Sequence, residues 1–149
     1  MTFEDLYNDV ADQYGDTSAA MITRIKRYLN WCHNDVLSRE SWDFAYDTGT
    51  FPCVVATSTY SLDPTVDKIS TIVNDTTSTR MRHIDRQDLE SIDPSRDTSG
   101  SPYLWTEAGR DISGYPQIEL YPVPDSTDTI NYGFRITPVD MVNTTDIPL

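Results

Sequence analysis

Residues 3–39, FEDLYNDVADQYGDTSAAMITRIKRYLNWCHNDVLSR, decide the architecture, because they carry two helical periods in succession. Phe3, Leu6, Tyr7, Val10, Ala11 and Tyr14 fall at i, i+3, i+4, i+7, i+8 and i+11, one face of a helix over 3–14. Thr2 supplies an N-cap oxygen, Asp5 follows three residues later, and Gly15 is the natural stop. Asp16, Thr17 and Ser18 then offer fresh N-caps for a longer helix reaching about Arg39. Its stripe is Ile22, Ile25, Leu29, Cys32 and Val36. So few residues separate the two helices that they pack antiparallel, as a hairpin. Met21, Tyr28, Trp31 and Leu37 stand off that stripe, so the second helix is apolar over more surface than one partner helix covers. Another surface has to bury the remainder.

Outward from the hairpin the period changes at Ser41. Trp42, Phe44 and Tyr46 alternate with Asp43, Ala45 and Asp47, the two-residue repeat of a strand with one buried face. Thr48-Gly49-Thr50 reads as a turn, Val54 to Leu62 as a strand ended by Asp63-Pro64, and Val66 to Val73 as a strand ending at Asn74-Asp75. Arg80 to Ile84 reads as a short strand. Asp85 caps a brief helix through about Ser91, with Asp88 at its third position, and 93–101 is a polar loop. Strands follow at Tyr103–Glu107, Gln117–Tyr121 and Ile130–Ile136, the last two joined across Pro122-Val123-Pro124-Asp125. The fold class expected is α+β: an N-terminal antiparallel helical hairpin, then a mostly antiparallel β-sheet or small sandwich with one short helix. A single domain, 1–149, divides into the hairpin at 1–40, a β-rich part at 41–140 and a tail at 141–149.

Composition sets the limits on function. The 149 residues suffice for one domain with a core. Nine tyrosines and three tryptophans argue against disorder. A formal charge of -13 repels phosphate and leaves no basic stripe for duplex binding, so specific DNA recognition is not expected. The N-terminus lacks a signal peptide's basic and apolar regions, and no apolar run reaches membrane-spanning length. Two cysteines, Cys32 and Cys53, make no disulfide framework and suit a reducing cytoplasm.

Chemistry-bearing patterns are missing. His33 and His83 have no i, i+4 partner and no cysteine pair, so neither a zinc site nor a bound cofactor is expected. Cys32, on the apolar stripe, reads as a core thiol. No phosphate-cradling glycine loop or nucleophile elbow occurs, and the carboxylate pairs Asp125–Asp128 and Asp85–Asp88 read as turns and caps. The expectation is a non-enzymatic protein. Trp42, Tyr103, Trp105, Tyr115 and Tyr121 are the material for a sugar-stacking platform, but core and interface packing is the reading preferred for them. Arg80, Arg82, His83 and Arg86 form a basic cluster in an acidic chain, read as ordinary ion pairs or, more sharply, as a subunit contact.

In order, the landmarks Trp31 through Arg39, Trp42-Asp43-Phe44, Tyr60-Ser61-Leu62, Val66-Asp67-Lys68-Ile69, Gly100-Ser101-Pro102-Tyr103-Leu104-Trp105, Ile118 through Asp125, and Asp146-Ile147-Pro148-Leu149 resemble the head-to-tail adaptor, or connector, proteins of tailed bacteriophages. The resemblance covers most of the chain from residue 20 onward. It implies a virion neck protein, assembled in the host cytoplasm. Its helices would pack side by side in a homo-oligomeric ring, commonly of twelve copies, beneath the portal protein. The β-rich part would contact the next tail or neck protein, and DNA would pass nearby without specific binding. Such a protein performs no reaction. The subunit-interface candidates are Met21, Arg24, Arg27, Tyr28, Trp31, Leu37, Arg80, Arg82, Arg86, Ile147 and Leu149. Leu62-Asp63-Pro64 inverts the family's Leu-Pro-Asp order. Family chains continue past the Ile-Pro segment into portal-docking helices, so either this chain is a shortened form or its docking element differs. The alternatives are a tail or baseplate component and a carbohydrate- or receptor-binding β module centred on Trp105.

Overall fold

The computed structural model describes residues 1–40 and 42–148. Ser41, where the period was expected to change, and Leu149 lie outside the described residues. The chain is α+β and forms two compact units: Met1–Ala45 together with Thr137–Leu149, and Tyr46–Ile136.

The helical unit contains α1 (Phe3–Tyr14) and α2 (Ala19–Arg39). The expected capping box is formed: Thr2 Oγ1 accepts the Asp5 N–H at 3.3 Å, and the Asp5 carboxylate accepts the Thr2 N–H at 2.8 Å. Gly15 closes α1 in the left-handed region at φ 68°, and Ser18 caps α2 by accepting the Met21 N–H at 3.3 Å. Phe3, Tyr7 and Ala11 of α1 pack with Ile25 of α2 and with Met141. At about 1.5 Å per residue the 12 residues of α1 run roughly 18 Å, against about 31 Å for the 21 of α2. The stripe of α2 therefore outruns its partner. Cys32 and Val36 are exposed, which corrects the expectation of a core thiol at Cys32.

Residues of the tail complete this unit. The Phe3 N–H donates to the Asp146 carbonyl at 2.7 Å and the Glu4 N–H to the Thr144 carbonyl at 3.1 Å, satisfying two first-turn donors that no helix can satisfy internally. Asn30 of α2 donates to the Met141 carbonyl at 3.0 Å and accepts the Met141 N–H at 2.9 Å. The Asp146 carboxylate accepts the N–H groups of Val142 and Asn143, which holds the tail's turn and lowers the acid's pKa.

The second unit is a sandwich of two four-stranded sheets. One has the order β1-β8-β3-β4, made of Tyr46–Pro52, Thr129–Ile136, Val66–Asn74 and Thr79–Arg80; the other has the order β2-β7-β6-β5, made of Thr59–Ser61, Pro116–Tyr121, Leu104–Arg110 and Arg82–His83. Among the described residues, the named strands pair antiparallel except β5 with β6. Ile72, Ile130 and Phe134 from the first sheet, Ile118, Leu120 and Trp105 from the second, and Leu62 just after β2 share one core. A short helix, α3 (Arg86–Ile92), packs Leu89 with Ile84, Leu104 and Tyr121.

Several expected strands are redrawn. Trp42–Ala45 is no strand, and β1 begins only at Tyr46: Asp43–Ala45 is a single 3-10 turn, with Trp42 stacked on Phe44 at 5.7 Å and its indole N–H donating to the Val36 carbonyl. Thr48-Gly49-Thr50 is no turn but the middle of β1. Gly49 is required there because the Tyr132 ring lies over it, and a Cβ would meet Tyr132 Cζ at 2.3 Å. Of Val54–Leu62 only Thr59–Ser61 is strand, since the Tyr60 hydroxyl accepts the Val54 N–H and donates to the Thr57 carbonyl, taking the place of a ladder. Arg80–Ile84 divides at Met81, whose neighbours join different sheets.

Candidate functional site

Two surfaces collect the residues singled out from sequence. On the helical unit, Met21, Arg24 and Tyr28 line a groove of about 370 Å³ with Val10, Tyr14 and Cys32. The groove exists because α2 sends apolar side chains to both flanks while α1 covers one. Tyr28 is 54% exposed and the Arg27 guanidinium lies 5.8 Å from its ring centre, a cation–π distance. Trp31, 67% exposed, stands on a separate shallow depression with Ser38 and Pro138. Leu37 does not belong to this surface: it is buried, so it is a core residue and not an open contact. Ile147 is exposed, and the candidate Leu149 falls outside the described residues. Tyr14, Val36 and Cys32 join the exposed apolar set unforeseen; the signal was the unequal length of the two helices.

On the sandwich, Arg80 from β4 and Arg82 from β5 rim a cavity of about 280 Å³ that Ser70, Thr71, Met81, His83 and Trp105 complete. The local cause is Met81. Its side chain is buried and its N–H donates to the Ile72 carbonyl at 2.9 Å, so its two neighbours turn outward on either side. The His83 ring packs on the Trp105 indole at 4.5 Å in an edge geometry. Among the described residues the ion pairs are Arg39–Asp35, Arg86–Glu90, Arg96–Glu119 and Arg135–Asp67, so Arg80 and Arg82 have no carboxylate partner. Arg86 does, and it does not line the cavity. The basic cluster thus separates into two free guanidiniums and one ordinary helical pair.

The other candidate chemistry is structural in form. Asp128 is buried and accepts from Ser101 Oγ at 2.7 Å, Asn74 Nδ2 at 2.7 Å and Ser126 Oγ at 2.9 Å, which lowers its pKa. Cys53 is buried and its thiol pKa is raised by that burial. Trp105 and Tyr121 are buried, whereas Tyr103 and Tyr115 are exposed, so the aromatics offer no shared open platform of tryptophan. Among the described residues, no three His, Cys, Asp or Glu side chains gather in metal-binding geometry, and no helix is long and apolar enough to cross a membrane.

No curated protein matches the chain. The family model described as SU10 adaptor protein matches residues 1–149, the whole sequence. A helical hairpin with apolar surface to spare, joined in one chain to a β-sandwich with a free basic rim, suits a protein whose work is contact with other proteins, and the chain belongs to the SU10 adaptor protein family, phage structural proteins of the virion.

Proposed function

We propose that the protein is one subunit of an adaptor ring that joins the portal vertex to the tail and leaves a channel for DNA, and that it catalyses no reaction. Membership of the adaptor family supports this reading. The observation that carries it is the set of large apolar side chains left exposed on the helical unit, Tyr14, Tyr28, Trp31 and Val36. Side chains this large are costly to leave in water, and a ring subunit needs two unlike contact flanks. In the ring, commonly of twelve copies, the helices stand side by side and face the portal protein while the sandwich meets the next neck or tail protein. An acidic wall, from a net charge of -13, lets DNA slide without binding.

The test is assembly on the portal of the same phage, followed by native mass spectrometry and electron microscopy. Closed rings bound to portal are the expected result. Tyr28→Ala with Trp31→Ala should cut ring yield at least about tenfold, since buried aromatics dominate interface energetics. A stable dimer indifferent to portal would overturn the proposal. Glycan binding that depends on the exposed Tyr103 and Tyr115 would instead favour a receptor-binding module.

A further inference from the structure

The basic rim of the sandwich is out of keeping with the chain that carries it. Elsewhere among the described residues most cations are occupied: four arginines hold carboxylates, Lys26 and Arg27 lie over aromatic rings, and Arg110 donates to the Gly114 carbonyl. Arg80 and Arg82 have no contact of these kinds among the described residues, and both stand at one cavity. No acidic side chain lines that cavity, although acidic residues outnumber basic ones 24 to 11 in the chain. Two uncompensated guanidiniums therefore focus positive potential at a single place on an acidic molecule.

The lining is layered by exposure. Ile72, Met81 and Trp105 are buried and form an apolar floor, whereas Arg80, Arg82 and His83 are exposed and stand at the mouth. The volume, about 280 Å³, exceeds the roughly 150 Å³ that takes a benzene ring in a protein interior, so a whole apolar side chain fits. The matching ligand is apolar in the middle and anionic at its margins.

That shape decides between classes of anion. An inorganic ion would pair with the mouth and leave the floor in water. Duplex DNA carries one charge per about 1.7 Å and gains affinity by neutralising many phosphates, for which two guanidiniums are too few. The rim does not extend into a basic track either, because Asp75 precedes it in the sequence and Asp85 and Asp88 follow. A net charge of -13 also repels a ligand in proportion to its own charge, so an anion of few charges is penalised least.

We propose that this cavity receives a segment of a partner protein in which one apolar side chain is flanked by carboxylates. The apolar side chain covers Met81 and Trp105, and the carboxylates meet Arg80 and Arg82. The assignment goes beyond the ring proposed above and stands on the cavity, whichever partner presents the segment.

The experiment titrates the full chain, isotopically labelled, with the blocked tripeptide Glu-Leu-Glu and follows it by NMR. Saturable shifts at the Trp105 indole, the His83 ring and the Met81 amide are the expected result. Gln-Leu-Gln and Glu-Ala-Glu should each bind at least about fivefold more weakly, since the first loses the charge contacts and the second the buried apolar group. Arg80→Gln and Arg82→Gln should weaken binding of Glu-Leu-Glu by a similar factor. Both positions are exposed, so the variants should fold, and their amide spectra will show whether they do. Arg86→Gln removes an equal charge from outside the lining and should leave the affinity unchanged. Shifts confined to other residues, no saturation up to the solubility of the peptide, equal affinity for either control peptide, or an equal loss in Arg86→Gln each overturn the proposal. Tighter binding of inorganic phosphate at the same signals would mark a simple anion site, and tighter binding of short duplex DNA a nucleic-acid contact; either result overturns the assignment to a protein segment.

Discussion

At Asp128 a carboxylate with little access to water ties three separate stretches together through Asn74, Ser101 and Ser126. Hydrogen bonds to a buried charge contribute more than neutral ones, and the donors left behind by its removal stay unsatisfied. Asp128→Ala should therefore destabilise the protein by about 3 kcal/mol, measured by urea unfolding followed through tryptophan fluorescence. The pH dependence follows from the same bonds. The hydroxyl of Ser101 first, then the Asn74 amide, hold the Asp128 pKa below its ordinary 3.8. The folded state thus binds its proton more weakly than the unfolded chain does. The stabilisation is complete above the ordinary value and is lost as pH falls through the lower folded one. Acid unfolding of Asp128→Asn should lack that component; an acid profile identical to the parent's would contradict the assignment.

Among the elements, those fixed by local chemistry were legible and those fixed by distant partners were not. The bounds of α1 and α2 follow from caps a few residues away, Thr2 with Asp5, Gly15, and Ser18, and the structure places them where the periodicity does. The α+β class and the strands β3, β7 and β8 were likewise readable. Gly49 was misread because only the Tyr132 ring, some eighty residues on, explains a glycine inside a strand. The loop after Cys53 was misread because a tyrosine hydroxyl replaces the ladder there. The surface candidates show the same limit: periodicity names the faces of α2 but not how far α1 reaches along them, so Leu37 was placed outside and Cys32 inside. Asn30 is the element-scale counterpart of Asp128, since its side chain pairs with Met141 as a neighbouring strand would. Asn30→Ala should cost about 1–2 kcal/mol and speed amide exchange at Phe3 and Glu4, whose acceptors lie farther along the same tail. Unchanged exchange at those two amides would show that the tail is held by other contacts.

For the molecule as a whole, a charge of -13 on each copy opposes any assembly of like subunits. That repulsion is long-ranged and is the first interaction to be screened, with a screening length of about 30 Å at 0.01 M salt and about 8 Å at 0.15 M. Self-association of the chain, followed by sedimentation velocity, should strengthen across that range. A monotonic fall would mean that ion pairs formed between copies, by cations such as Arg80 and Arg82, outweigh the mean field from the start. These two arginines flank Met81, where the chain leaves one sheet for the other. The segment is a staple through both layers of the sandwich, so a partner gripping both guanidiniums holds the two layers at once. Sliding of one layer past the other would change the spacing of the two charges, so a partner held at both would register shear between the layers.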